Sequence, residues 1–174
     1  MRIIAVVGSK KSGKTKTVEA LVRGLTKRGY RVGTVKHVSE QSFTVDTEGK
    51  DTWLHAKAGA RTIVLVAPKE LTVIRKGDTA KLTLLEIVQN CINDMDVIVV
   101  EGFRSLVERE SSVPKIVAVK TVQEAADALG RFKPVIAFTG PVGSSKELEK
   151  PVIDVLAEPE RVAEIVERYW GKDE

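Results

Sequence analysis

Eight residues near the start of the sequence have the types and spacing of a phosphate-binding loop. Residues 8–15 are Gly-Ser-Lys-Lys-Ser-Gly-Lys-Thr. In such a loop the backbone N–H groups converge on a β-phosphate, and Gly8 and Gly13 allow the backbone to approach it closely. Lys14 would bind the β- and γ-phosphates, and the Thr15 hydroxyl would bind Mg²⁺. The motif therefore predicts a site for a nucleoside di- or triphosphate. The predicted phosphate-binding residues are Gly8, Ser9, Lys10, Lys11, Ser12, Gly13, Lys14 and Thr15.

A second candidate for metal binding is Glu101, which ends the apolar run Val-Ile-Val-Val before a glycine. An acidic residue at the carboxyl end of a buried strand is well placed to hold Mg²⁺ through water. Aspartate is usual at this position, and Glu101 fills it here. The alternative is a charged residue that ends a strand for solubility alone. We predict that Lys14 and Glu101 act in catalysis, and that Asp96, at the other end of the strand, faces solvent.

Three further side chains are candidates for binding an anion or the metal. Lys36 and His37 end the second predicted strand, at the sheet edge where α/β proteins bind ligands. They would hold an anionic group or neutralise transition-state charge. Asp46 is a candidate contact for Mg²⁺ or its waters, whereas Asp51 is predicted to be a helix N-cap. His55 is predicted to lie on the surface.

Strand and helix patterns alternate along the chain, which favours a three-layer α/β fold of the P-loop NTPase type. The sheet would be mostly parallel with helices on both faces. Two β-rich runs separated by Pro68 are expected to form an antiparallel hairpin. The predicted strands are Ile3–Val7, Arg31–His37, Arg61–Ala67, Leu71–Arg75, Asp96–Val100, Lys115–Val119 and Pro134–Phe138.

Five helices are expected between and after these strands. The first follows the phosphate loop and has Val18, Leu21, Val22 and Leu25 at helical spacing. The others are Asp51–Ala60, a helix with the apolar face Leu84, Leu85, Val88, Cys91 and Ile92, the segment Thr121–Leu129, and a closing helix after Pro159. Thr121 and Glu124 form a predicted capping box, and Gly130 is the predicted helix stop.

Two polar stretches, Val38–Lys50 and Arg104–Val113, show no clean periodicity. Near a phosphate loop, such segments are candidate switch loops that γ-phosphate and Mg²⁺ would order. Plain surface loops are the equally open alternative.

The composition limits the class of protein. The 174 residues suit one domain, 1–174, and 43% hydrophobic content describes a globular chain. The apolar runs are too short for a membrane span or a signal peptide, so a cytoplasmic protein is expected. The single cysteine, Cys91, is expected to pack in the core. Net charge is only +4 and aromatic content 5%, which does not favour nucleic-acid binding.

Beyond the phosphate loop, the sequence resembles the molybdopterin-guanine dinucleotide biosynthesis protein B family, MobB. The resemblance covers about residues 1–120. It depends on the order of four segments after the loop: Lys36-His37, Asp-Thr-Glu-Gly-Lys-Asp at 46–51, Ala-Gly-Ala at 58–60 and Val-Glu-Gly-Phe at 100–103. Two segments depart from it. Ser39, Glu40 and Gln41 stand where relatives often have further histidines, and Arg104 stands where a lysine is common.

The resemblance implies a small GTP-binding protein with weak GTPase activity. It also implies a homodimer that assists the partner enzyme attaching GMP to molybdopterin, a molybdopterin guanylyltransferase. Lys36, His37, Asp46 and Glu101 would support the nucleotide and Mg²⁺. Guanine is implied by the resemblance alone, since no Asn-Lys-x-Asp motif occurs around 138–140.

Three other functions stay open on the residues themselves. A small-molecule kinase would need an arginine-rich lid, for which Arg104 and Arg109 are the only close pair in a candidate loop. A metallochaperone GTPase would need more soft ligands than two histidines and one cysteine. A scaffold with a structural, unhydrolysed nucleotide is the third alternative.

Overall fold

The computed structural model describes residues 1–91, 94–142 and 148–171, and it forms two compact units. The first unit contains residues 1–37 and the described residues from 83 onward, and the second contains Val38–Leu82. None of the described helices is long and apolar enough to cross a membrane.

The strands and helices alternate along the chain, as their patterns predict. The strands are β1 Arg2–Gly8, β2 Val32–Lys36, β3 Thr62–Ala67, β4 Glu70–Arg75, β5 Val97–Glu101, β6 Lys115–Ala118, β7 Val135–Thr139 and β8 Val152–Ile153. The helices are α1 Lys14–Lys27, α2 Asp51–Lys57, α3 Leu84–Gln89, α4 Arg104–Arg109, α5 Val122–Arg131 and α6 Pro159–Trp170.

The first unit is built on a parallel six-stranded sheet in the order β2-β5-β1-β6-β7-β8. Alternate residues of β1 pack on opposite faces: Ile4 and Val6 join the core beneath α1 and α6, and Ala5 and Val7 join the core beneath α3, α4 and α5. This alternation follows from the two-residue period of a strand. The predicted three-layer α/β fold is thereby confirmed.

The second unit contains α2 and the antiparallel hairpin of β3 and β4, in the register Val64 opposite Val73 and Val66 opposite Leu71. The predicted hairpin is confirmed. Asp51 is the first helical residue of α2 instead of its N-cap, which is Lys50. A carboxylate in the first turn is favourable there because the helix dipole is positive at that end.

Some local predictions are wrong. Arg104–Arg109 is a helix, because the fully buried Val107 anchors one apolar side of this polar segment in the core. Leu85 is 57% exposed, and α3 ends before Cys91, which still packs against the core. Helix α5 continues through Gly130 to Arg131. Ile92 lies outside the described residues.

Two helix starts show how capping operates in this chain. Thr121 Oγ1 accepts from the Glu124 N–H at 3.1 Å, as predicted, but the Glu124 carboxylate accepts from the Lys120 N–H at 2.8 Å. Thr83 and Glu86 form a complete capping box at α3 that the sequence analysis did not include. Short-range polar contacts therefore cap the starts of α3 and α5.

Candidate functional site

The phosphate loop connects the carboxyl end of β1 to the start of α1. Helix α1 begins at Lys14 with Gly13 as its N-cap, no side chain caps it, and its first turn contains no acidic residue. The first-turn N–H groups of a helix have no intrahelical partner and have a partial positive charge. The start of α1 is therefore suited to an anion, as the motif predicts.

Gly8 and Ser12 show how tightly the loop packs against β6. A Cβ on Gly8, whose φ is +152°, would lie 2.2 Å from the Ala118 carbonyl oxygen and 2.6 Å from Ser12 Oγ. Only glycine fits such a gap. Ser12 Oγ is itself buried and has no hydrogen-bond partner within the described residues. Buried hydroxyls are normally paired, so this one is a candidate donor to a ligand.

Lys14 extends along the loop and is half-buried. Its Nζ donates to the Ser9 carbonyl oxygen at 2.6 Å. Burial lowers the pKa of Lys14; Glu101 opposes this effect, while Arg104, Lys36 and Lys120 add to it by repulsion. The structure therefore brings several cations together around this ammonium group.

Glu101 lies next to the loop because β5 pairs with β1, with Val6 opposite Glu101. Its side chain is only 11% exposed. Oε1 accepts from Thr15 Oγ1 at 3.2 Å and lies 3.5 Å from Lys36 Nζ. A hydroxyl and a carboxylate on adjacent elements are the oxygen donors that Mg²⁺ prefers. Thr15 and Glu101 therefore fit the predicted metal site.

The remaining residues predicted from the strand end and the loop lie at the outer edge of this site. The His37 N–H donates to the Glu101 carbonyl oxygen at 3.0 Å, and the exposed His37 ring lies 5.0 Å from the Phe103 ring. Lys10 and Lys11 are exposed on the loop. The structure brings the residues predicted in the first unit together at one edge of the sheet.

Asp46 belongs to the second unit. Its Oδ1 accepts from the Thr52 hydroxyl at 2.7 Å and from the Thr47 N–H at 2.9 Å. These contacts tie the turn at 46–50 to α2. Its Oδ2 is buried and has no hydrogen-bond partner within the described residues. The role of Asp46 as a metal contact stays a prediction.

A polar cluster on the other side of the loop was not predicted from the sequence. Ser9 Oγ donates to Glu124 Oε1 at 3.2 Å, and Lys120 Nζ lies 3.8 Å from the same oxygen. Hydrogen bonding from the Lys120 N–H, with a smaller contribution from Ser9, lowers the pKa of Glu124. Lys120 directly follows the predicted strand Lys115–Val119, so the strand-end argument applied to Lys36 would have found it.

Charge at this edge of the sheet is unbalanced. Four cations act on or around the loop (Lys14, Lys36, Arg104 and Lys120), against two carboxylates (Glu101 and Glu124). Like charges held together at a helix start are suited to a polyanion that neutralises them. Backbone donors, a lysine and a hydroxyl–carboxylate pair together can orient a phosphate chain.

This fold and loop define a protein of the P-loop NTPase class. The sequence model of one family, molybdopterin guanine dinucleotide synthesis protein B, matches residues 3–140. The chain belongs to this family, MobB.

Individual relatives agree with this assignment. A protein from Methanocaldococcus jannaschii is 32% identical over 122 residues, which are 69% of this chain and 48% of that protein. The chain thus spans about half the length of that relative. The molybdopterin-guanine dinucleotide biosynthesis adapter protein of Haemophilus influenzae is 25% identical over 170 residues, which are 96% of this chain and 88% of that protein. A crystal structure of molybdopterin-guanine biosynthesis protein B is 25% identical with a TM-score of 0.72, covering 96% of this chain and 97% of that one.

Proposed function

We propose that this protein is a GTP-binding accessory protein with weak, Mg²⁺-dependent GTPase activity that acts in molybdopterin-guanine dinucleotide formation. Membership of the MobB family and the name of the Haemophilus influenzae adapter protein support the pathway. The observation that carries nucleotide binding is the uncapped start of α1, with Lys14 and an excess of cations around it. Guanine is the base that the family resemblance implies.

In the proposed mechanism, the N–H groups at the start of α1 hold the β-phosphate, and Lys14 neutralises charge at the bridge between the β- and γ-phosphates. Thr15 and Glu101 would hold Mg²⁺, which when bound supplies further charge neutralisation at the phosphates. Lys36 holds the Glu101 carboxylate in place through its 3.5 Å contact. The sequence motifs include no water-orienting glutamine, so we expect slow intrinsic hydrolysis that a partner accelerates.

A titration of GTP, GDP, ATP and ADP, each with and without Mg²⁺, tests nucleotide binding directly. We expect the tightest binding for GTP with Mg²⁺. Equal affinity for ATP would remove the guanine preference, and binding of none of the four would refute the proposal. GTP turnover with and without the guanylyltransferase partner then tests the accessory role, and fast hydrolysis by the isolated chain would contradict it.

The hairpin supports the further proposal that the protein is a homodimer. One face of β3 and β4 presents four exposed apolar side chains: Val64 (55% exposed), Val66 (75%), Leu71 (66%) and Val73 (44%). They form two directly opposed pairs, so the patch is continuous. Contiguous exposed apolar surface is typical of protein–protein contacts, and a second copy of this chain is the occupant that we propose.

Analytical ultracentrifugation tests the dimer. We expect Val66→Lys to shift the protein toward monomer, because a charge would be buried in the contact. Leu65→Lys is the matched control, since Leu65 is 48% exposed and lies on the opposite face of the same strand. A monomeric wild type, or equal effects of the two variants, would contradict the proposed surface.

The proposed partner is the molybdopterin guanylyltransferase, and the proposed compartment is the cytoplasm. Within the described residues, no group of three His, Cys, Asp or Glu side chains is placed to hold a metal ion. The described structure therefore adds no support to the metallochaperone alternative.

A further inference from the structure

The chain turns sharply where it leaves β5, and this turn places Arg104. Gly102 and Phe103 both adopt left-handed backbone conformations, with φ of +87° and +51°. The Gly102 N–H donates to the Val6 carbonyl oxygen at 3.0 Å, which holds the turn against the end of β1. A left-handed conformation is unfavourable for Phe103, whose side chain packs on the His37 ring and the core. Packing therefore imposes a conformation that the residue alone would not adopt.

The turn at Gly102 and Phe103 brings Arg104 to the phosphate loop. Arg104 lines a cleft of about 280 Å³ together with Gly8 and Ser9. It comes three residues after Glu101, whose carboxylate accepts from the Thr15 hydroxyl. Lys14, Thr15 and Glu101 mark the γ-phosphate and metal end of a P-loop. Arg104 is thus anchored by the same strand end as Glu101, the carboxylate that we propose holds the metal.

Arg104 interacts with Glu124 only at longer range. Arg131, which lines the same cleft, pairs with Glu108 at 2.6 Å. No ion pair or hydrogen bond holds the Arg104 guanidinium within the described residues. Arg104 is the strongest of the cations that repel the Lys14 ammonium. Glu101 attracts Lys14 and Glu124 attracts Arg104, and an anion bound between the two cations would relieve the repulsion that remains.

We infer that Arg104 binds the γ-phosphate and so makes the site discriminate between nucleoside triphosphates and diphosphates. The inference rests on the proposed nucleotide binding and adds a specificity-determining residue to it. A guanidinium offers planar, paired donors that match a phosphoryl group, and an anion there would relieve the repulsion between Arg104 and Lys14. A diphosphate held by the loop lacks the group that Arg104 would bind.

The test measures binding of GTP and GDP, and of inorganic tripolyphosphate and pyrophosphate as probes without a base, all with Mg²⁺. The proteins are the wild type, Arg104→Ala, Arg104→Lys and Arg109→Ala. Arg109 is the matched control because it is an exposed arginine at the other end of α4. Melting temperatures establish that each variant is folded.

We expect Arg104→Ala to lose about tenfold or more in affinity for GTP and tripolyphosphate, with less than about a threefold change for GDP and pyrophosphate. Arg104→Lys should recover part of the loss, since it keeps the charge without the paired donors. Arg109→Ala should match the wild type.

Two outcomes separate this inference from the proposed function. If the wild type binds tripolyphosphate more tightly than pyrophosphate and Arg104→Ala keeps that preference, the inference about Arg104 is wrong and nucleotide binding stands. If the wild type binds none of the four probes, the proposed function fails and the inference fails with it. Equal losses of affinity for the two-phosphate and three-phosphate probes would also overturn the inference. They would indicate that Arg104 attracts any anion at the site and does not bind the γ-phosphate in particular.

Discussion

Lys14 and Lys115 lie at opposite ends of the same parallel sheet, and burial lowers the pKa of both. Lys115, at the start of β6, is fully buried, and its Nζ donates to the carbonyl oxygens of Glu110 and Lys133. Lys14 has one carbonyl partner and is repelled by other cations. The amino end of the sheet thus satisfies its buried charge internally, whereas the carboxyl end assembles positive charge that we propose binds a ligand.

The salt bridges also differ between the amino end and the carboxyl end of the sheet. At the amino end, Arg31 forms a two-pronged bridge to Asp96, with distances of 3.1 Å from Nε and 2.9 Å from Nη2. At the carboxyl end, Glu101 has a single contact with Lys36 at 3.5 Å. Charges that stabilise the fold are paired, and charges that we propose to bind a ligand are held with fewer partners.

The largest expected effect comes from removing the ammonium group of Lys14. We expect Lys14→Ala to weaken GTP binding by about 2–5 kcal/mol, because a desolvated phosphate charge would lose its main cation. The melting temperature should not fall, since the variant also removes a lysine held among like charges. Calorimetric titration measures the first effect and thermal unfolding the second. Lys27→Ala, an exposed lysine in the last turn of α1, is the control. Unchanged GTP affinity in Lys14→Ala would contradict the proposed difference between the two ends of the sheet.

Substitution of Lys115 should lower stability and leave nucleotide binding unchanged, the reverse of the effect expected for Lys14. We expect Lys115→Ala to lower the free energy of unfolding by about 2–4 kcal/mol, because it leaves a cavity and removes the donor to two carbonyl groups. The Glu110 carbonyl keeps the Val113 N–H as a donor. Lys115→Met keeps most of the volume, so its loss should be about half of that or less. Urea unfolding measures both. Nucleotide affinity should be unchanged in Lys115→Met, and a loss of binding comparable to that of Lys14→Ala would mean that the two ends are not separate.

The lowered pKa of Lys115 also predicts an alkaline dependence of stability. Above its folded pKa and below the unfolded value near 10.5, the unfolded chain holds a proton that the folded chain has lost. Stability contributed by this group therefore rises with pH in that window. Relative to Lys115→Met, the wild type should gain stability as the pH approaches 10.5. Parallel urea-unfolding profiles for the two proteins would contradict the prediction.

The smallest effect is expected for Asp96 in acid. Hydrogen bonds from Arg31 lower the pKa of Asp96 from 3.8 to about 2. Its contribution to stability is present above pH 3.8 and is lost as the pH falls toward 2. Asp96→Asn should flatten the acid unfolding profile between these values. Asp94→Asn is the control because Asp94 is 88% exposed and lies 3.9 Å from Arg31, and an equal flattening there would show that the bridge has no specific role.

Much of the candidate site was predicted from the sequence because it is encoded locally. The phosphate loop needs only its own glycines, Lys14 and Thr15 between a strand and a helix, and Glu101 ends a strongly apolar strand. Arg104 was harder to place, because its segment has no clean helical period and the turn at Phe103 uses a conformation unusual for that residue. Local pattern cannot show that ring packing on His37 and a backbone hydrogen bond to Val6 would hold such a turn.

The sequence by itself determined the alternation of strands and helices, the hairpin, the phosphate loop and the resemblance to one family, since each depends on residues close together along the chain. Only the tertiary structure decided the strand order, which places β5 beside β1 and β2 beside β5. That order brings Lys36, Glu101 and Arg104 to the loop, and it separates them from the buried Lys115. Strand order depends on how distant segments pack their apolar faces, and no short stretch of sequence specifies it.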